Sequence, residues 1–471
     1  CLPTKVELLR VCLINPTYCK PGSGVVWPPL GLGYIAAVLE KAGHDVTVID
    51  TECLMHRNHF QRSNVNEAVS KIVQGYSPEL LGITSMTPDI PDAYDIAHFL
   101  KPVVPEAKII IGGTHTSALP FETLSGCGSI DAVVVGEGEE TMLELASGKE
   151  VAKTKGLVFR SENGMFFTGE RAPVTNLDRL PFPARHLLDM EVRLRAGQYR
   201  IYGTTLRTTT IITSRGCSKH PRCAFCCGSL PFGQRLRFHS PEYVMSEIEE
   251  LVAKYRIEGL YFADDQFLAD KRRVKRICEL MMNNRMSDRV KWAVQARPDS
   301  VDREILNMMK RAGCVQIEYG FESGSQRMLD MMDKGTTVKQ NYQAAHVTED
   351  VGIRYQANII FGMPTETRKD IEETLRFLDG INPFYVNISR LIPIPGSTIW
   401  KSLEDQGLLT HDWTTYHTLN FEKNFTRMSK EEFDMLFLRI QRHFSKVAES
   451  KIKKMMQTNA LKSQIISNDY T

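Results

Sequence analysis

Short apolar runs separated by amphipathic stretches set the rhythm of the first 150 positions. Residues 11–15 (VCLIN), 46–50, 80–85 (LLGITS), 108–112 (KIIIG) and 132–135 (AVVV) each read as a buried strand. Residues 32–42, closed by Gly43, and residues 139–144 read as helices between and after them. Runs rather than strict alternation mean strands covered on both faces, as in a parallel sheet. With helices between the strands, residues 1–150 are expected to form an open, doubly wound α/β domain.

The pattern breaks from 151 to 205. Residues 156–159 and 165–168 read as a small hairpin around Asn163-Gly164, and Leu180-Pro181-Phe182-Pro183 as an extended connector, so this stretch is expected to be a linker. A second alternation follows over 206–400. Its expected strands are 210–213, 259–263, 291–295, 315–320, 357–361 and 386–391, with helices between most of them. Six strand–helix units predict a partial (βα)6 barrel of TIM type, whose chemistry belongs at the C-terminal strand ends. Residues 401–471 form a polar tail with a long helix from 430 to 454. Its basic end, Lys451, Lys453 and Lys454, fits a solvated helix terminus.

Composition narrows the function classes. Over 471 residues, 58 Lys+Arg stand against 56 Asp+Glu, a net charge of +2 that argues against a globally basic nucleic-acid binder. No run of 18 apolar residues predicts a membrane span. The chain opens on Cys1 rather than Met and shows no basic-then-apolar leader. A processed or truncated start and a cytoplasmic setting are therefore expected. Of 11 cysteines, seven are scattered, and Cys217, Cys223, Cys226 and Cys227 crowd together just after the first barrel strand. That is not a secreted disulfide framework. Reduced thiols there fit a metal or cluster site.

On the loop alone two ligands stay open. Zinc wants four protein ligands, with Cys227 or His220 as the fourth. An iron–sulfur cluster takes thiolates, and three of them would leave one iron free.

The segment Ser214-Arg215-Gly216-Cys217 … Cys223-Ala224-Phe225-Cys226-Cys227 resembles the cluster loop of the radical S-adenosylmethionine (SAM) superfamily. The usual spacing there is C-x3-C-x2-C. This chain has C-x5-C-x2-C, with two extra residues in the first gap, while the second gap and Phe225 match. The two-residue gap favours Cys226 over Cys227. The resemblance implies a [4Fe-4S] cluster on Cys217, Cys223 and Cys226, with SAM on the open iron. It also implies SAM contacts from Phe225 and from the strand ends: Asp264 and Asp265, Gln295 and Arg297, Glu318, Glu322 and Ser323, Gly362, and Pro393.

The N-terminal segments Pro28-Pro29-Leu30-Gly31-Leu32, Thr84-Ser85-Met86, Gly112-Gly113-Thr114-His115 and Gly136-Glu137-Gly138-Glu139 resemble the Rossmann-like cobalamin-binding domain that precedes many radical SAM barrels. The resemblance implies cobalamin held by Thr84, Ser85, Met86, Gly112, Gly113, His115, Gly136, Glu137 and Gly138. No D-x-H-x-x-G pattern supplies an axial histidine, so His115 is a candidate neighbour of cobalt or a loop-positioning residue. The implied activity is methylation of an unactivated carbon or phosphorus centre, using a 5′-deoxyadenosyl radical and methylcobalamin. The alternatives are a cyclase or rearrangement enzyme like the anaerobic porphyrin cyclases, and a non-catalytic zinc- and cobalamin-binding sensor. The expected partners are a small-molecule or natural-product substrate and an electron donor such as flavodoxin or ferredoxin.

Overall fold

The computed structural model describes residues 8–17, 27–57, 62–198, 200–416 and 421–468. The N-terminal unit is built on β1 (Arg10–Asn15), β2 (Asp45–Asp50), β3 (Leu80–Ser85), β4 (Lys108–Gly113) and β5 (Ala132–Val134), all parallel. Helix Leu30–Lys41 turns its Leu30, Tyr34, Ala37 and Leu39 inward. The chain then reverses at Gly43 (φ +94°), where an L side chain would be strained. The strand order β2-β1-β3-β4-β5 places the topological switch between β1 and β3, the place where open α/β sheets receive ligands.

The hairpin expected in the connector is present as β6 (Leu157–Ser161) and β7 (Gly164–Phe167), but it does not stand apart. β6 pairs antiparallel with β5, extending the sheet to seven strands. Leu157 and Val158, both fully buried, account for the attachment. The rest of the connector is tied down as well. Arg193, in helix Met190–Gly197, reaches Asp50 at 2.5 Å and Glu52 at 2.7 Å, all within the buried interior.

The second sheet holds β8 (Thr208–Ile211), β11 (Gly259–Phe262), β12 (Lys291–Ala296), β13 (Cys314–Glu322), β14 (Arg354–Phe361) and β15 (Tyr385–Arg390). They run parallel in the order β15-β14-β13-β12-β11-β8, with β8 and β15 left as edges, so the barrel is partial. β9 (Ser214–Arg215) and β10 (Arg237–Phe238) form a separate antiparallel ribbon.

Alternation along the barrel strands sorts its two faces. Phe262, Trp292, Val294, Ile317, Tyr319, Phe321, Ile359 and Phe361 pack outward under the helices. Inward stand Tyr261, Gln295, Glu318, Gln356, Asn358 and Asn387. Residues 200–204 fill the barrel's N-terminal end: Tyr202 donates its N–H to Gln316 (2.9 Å) and its hydroxyl to Gln356 (2.6 Å), and Arg200 pairs with Glu318 at 2.7 Å. Helix Lys430–Asn468 packs Phe433, Phe437 and Ile440 into the barrel's core and is pinned by Lys451 on Asn382. Among the described residues no helix is long and apolar enough to cross a membrane.

Candidate functional site

The cysteine loop is gripped at its root. The β9–β10 ribbon closes its base, and Asp264, at the exit of β11, accepts from the backbone N–H groups of Thr213 and Ser214 (2.7 Å each) and from the Thr213 hydroxyl (2.5 Å). Further along, Ala224 N–H donates to Met332 O, and Ala224 O accepts from Ile399 N–H. Between these anchors the two extra residues of the first gap are taken up by an outward excursion, in which Ser218, His220 and Pro221 are exposed. Cys217, Cys223, Cys226 and Cys227 are all half-buried, free thiols. Burial pushes the Cys226 thiol up to about 12, so a metal binding there must displace a proton.

Three free thiols on one anchored loop at the C-terminal end of β8 suit an iron–sulfur cluster in donor type. Among the described residues no three His, Cys, Asp or Glu side chains converge on a single ion position. Three thiolates on a cluster bind three different irons and stand further apart, which is compatible with that spacing.

Several strand-end residues surround this loop. Asp265 opens toward the barrel mouth, and burial, then the neighbouring Asp264, push its carboxyl up to about 6. Gln295 is exposed within the hollow. Phe225 packs with the apolar group around Met328, Met332 and Met363, and Lys334 Nζ stands 5.9 Å from its ring centroid. Lys334 also pairs with Glu322 at 2.8 Å, both buried, and Glu322 holds a left-handed φ of +62°. Arg297 chelates Asp299 and donates to Lys334 O.

Other expected SAM contacts are otherwise engaged. Asp264 is fully buried on the loop's backbone. Glu318 sits mid-strand rather than at a strand end, and Arg200 and the Tyr261 hydroxyl (2.8 Å) occupy it. Ser323 bonds Thr374 and accepts from Ser325 N–H. Gly362 lies under Phe433, which a Cβ there would approach to 3.2 Å. Pro393 is buried in the turn leading to helix Thr398–Asp405.

A cavity of about 220 Å³ opens at the C-terminal edge of the N-terminal sheet. Thr84, Ser85, Met86, Gly112, Gly113, Gly136, Glu137 and Gly138 line it, as do Ile212, Arg215, Pro231 and Phe232 from the barrel side. Two of the glycines around it leave no room for a side chain. A Cβ on Gly82 would lie 2.7 Å from Leu13, and one on Gly113 only 2.2 Å from Ser85 O. Such a slot fits part of a large, largely apolar ligand.

Two of the expected cobalamin contacts behave differently from the sequence reading. Glu137 lines the slot, but its carboxylate is engaged by Arg215 (3.1 Å), Arg237 (2.9 Å) and Val174 N–H (2.7 Å). Glu139 takes the other arm of Arg215 at 2.6 Å. All four charged side chains are buried, with exposures of 4–6%. His115 does not line the cavity. It is buried between Thr87 (3.1 Å) and the edge of Trp413 (4.9 Å between centroids), and burial, then His411, push its imidazole down to about 4. Its Nδ1 meets Thr87, and its ring packs beside Trp413.

The residues missed by sequence reading are Arg215, Arg237, Gln266, Lys334 and Arg200. Arg215 lay inside the cysteine segment, and Gln266 directly follows the Asp264-Asp265 pair. The rest carried no spacing signal, because their partners are 12 to 118 positions away.

Comparisons with known proteins bear on this arrangement. Residues 23–146 match the family model of the B12 binding domain, and residues 211–378 that of the Radical SAM superfamily. An uncharacterized methyltransferase of Pyrococcus horikoshii is 30% identical over 439 residues, covering 92% of this chain and 91% of that one. An anaerobic magnesium-protoporphyrin IX monomethyl ester cyclase of Cereibacter sphaeroides is 27% identical over 423 residues, covering 87% and 66%. Among solved structures, the radical S-adenosylmethionine methyltransferase TsrM from Kitasatospora setae, with cobalamin and a [4Fe-4S] cluster bound, superposes with a TM-score of 0.71 at 20% identity, over 85% of this chain and 78% of that one.

Proposed function

The chain belongs to the radical SAM enzymes that carry an N-terminal B12-binding domain, and from that premise we propose that it methylates an unactivated carbon or phosphorus centre of a small molecule. One observation carries the reading. The slot of the N-terminal domain is walled on its far side by Arg215, Pro231 and Phe232, which flank the cysteine loop. A ligand seated there is set against the loop that presents the thiols, as a transfer between two cofactors requires.

When bound, the cluster with SAM supplies a 5′-deoxyadenosyl radical, and cobalamin supplies the methyl group. The protein's own residues do the rest. Cys217, Cys223 and Cys226 would hold the cluster, and Asp264 fixes the root of their loop. Asp265 would offer its carboxyl group to the SAM ammonium at the barrel mouth. Gln295 and Arg297 border the same space, and Phe225 braces Lys334 beside it. The glycine-lined slot, with Thr84, Ser85 and Met86, would receive cobalamin. An external one-electron donor such as flavodoxin or ferredoxin completes the system.

The test is anaerobic reconstitution with iron, sulfide, zinc and cobalamin quantified together, followed by incubation of candidate substrates with methyl-labelled SAM. About four irons and four sulfides per chain, bound cobalamin and a product heavier by one labelled methylene unit are expected. The similarity to the porphyrin ester cyclase keeps ring formation as the second reading. A product that gains no methylene would establish it. Zinc alone, with no cluster after reconstitution, would overturn both.

A further inference from the structure

The exit loop of β11 runs alongside the first half of the cysteine loop and touches it twice. Asp264 holds its root. Two residues on, Gln266 holds its first thiol: the carboxamide Nε2 donates to Cys217 Sγ at 3.1 Å. Its other end is fixed. Gln266 Oε1 accepts from the Ser218 hydroxyl at 2.7 Å and from Ser218 N–H at 3.4 Å. A backbone N–H can only donate, so the oxygen end of the amide must face Ser218. The NH2 end is thereby turned onto the sulfur. Gln266 is 8% exposed, in surroundings where a dipole acts with little screening.

We propose that Gln266 is a redox-tuning residue: its amide N–H, aimed at Cys217 Sγ by Ser218, makes a cluster bound on Cys217, Cys223 and Cys226 easier to reduce. The proposal rests on the cluster reading given above. Reduction adds one electron from an external donor to the oxidised cluster, with no bond made or broken. The added negative charge is shared with the thiolate sulfurs. A donor already pointing at one of them stabilises the reduced form more than the oxidised form, and hydrogen bonds to sulfur are an established control on cluster potential. Asp265, the next residue back, faces the same region as an acid, and its charge opposes reduction. Gln266 works against it as a neutral donor, beside the guanidinium of Arg297.

The test is a redox titration of the reconstituted protein, read by the electron paramagnetic resonance signal of the reduced cluster, without SAM. Gln266→Leu removes the donor at similar bulk. Gln266→Glu keeps an acceptor for Ser218 but replaces the donor with a carboxylate oxygen. Both are expected to retain wild-type iron and sulfide. At the wild-type midpoint, the reduced-to-oxidised ratio of Gln266→Leu is expected to fall about tenfold, equivalent to ~59 mV for one electron. Gln266→Glu is expected to fall further. Ser218→Ala, which unfixes the amide, is expected to shift the same way by less. Midpoints unchanged at full cluster content would overturn the proposal. Loss of the cluster from both Gln266 variants, with unaltered thermal melting, would also overturn it, by assigning Gln266 to cluster loading. A wild-type protein that holds no iron–sulfur cluster would instead refute the enzyme reading beneath it.

Discussion

Replacing Arg215 with Met tests the link between the two halves of the site. Arg215 bridges Glu137 and Glu139 of the N-terminal domain and leads directly into Gly216-Cys217. Its loss leaves Glu139 buried without that cation, while Glu137 keeps Arg237. Breaking a buried ion pair costs ~3–5 kcal/mol. Glu139 lies in the first turn of helix Glu139–Ala146, whose dipole returns ~1 kcal/mol to a carboxylate there. The net expectation is ~2–4 kcal/mol lost locally, or about 30- to 1,000-fold faster amide hydrogen exchange in the β9–β10 ribbon. Glu139→Gln alone should cost less, because Arg215 keeps Glu137. The double variant should cost less than the sum of the two singles by ~1–3 kcal/mol. Cobalamin affinity should weaken in Arg215→Met, because Arg215 walls the slot. The reasoning is refuted if ribbon exchange in Arg215→Met stays within threefold of wild type or if the two substitutions are additive.

Further predictions concern the thiols, the slot and acid stability. Replacing Cys217, Cys223 or Cys226 singly by Ala should abolish bound iron and sulfide, whereas Cys227→Ala should keep both, as metal analysis will show. Gly31 lines the slot and has no atom within 4 Å of a built Cβ, so Gly31→Trp should block cobalamin uptake in an absorbance titration without lowering the thermal midpoint. Burial first of all holds His115 and His239 down to about 4. Between pH 6.5 and 4 the unfolded chain takes up protons that the native fold refuses, so stability should fall with pH by ~1.4 kcal/mol per unit for each histidine. His115→Asn should flatten that slope in melting curves taken from pH 7 to 5, and an unchanged slope would discount the burial argument.

The parts of the fold legible in the sequence were those written in local pattern. β3 falls on the expected residues, and the other expected strands are displaced by two residues or fewer at either end, except that β14 starts three positions early at Arg354. The cysteines could be read because ligand spacing is a short-range signal. What could not be read was pairing at a distance. The hairpin's union with β5 rests on Leu157 and Val158 finding a partner strand, which no local pattern announces. Glu137 and His115 were read from their loops as ligand contacts, yet Arg237 lies 100 positions from Glu137 and Trp413 lies 298 from His115. Asp264 and Asp265 look alike in sequence. Neighbours on a strand exit point opposite ways, so one is spent on backbone and the other faces the mouth.

The segment that fills the N-terminal end of the barrel has a bearing on traffic. Arg200 is stacked over Tyr261, 4.5 Å from the ring centroid, and Tyr202 is bound to the floor of two strands. Among the described residues, that stoppers the N-terminal end of the hollow. The C-terminal end is the side on which the cysteine loop stands, with Arg215, Pro231 and Phe232 shared between that side and the slot of the N-terminal domain.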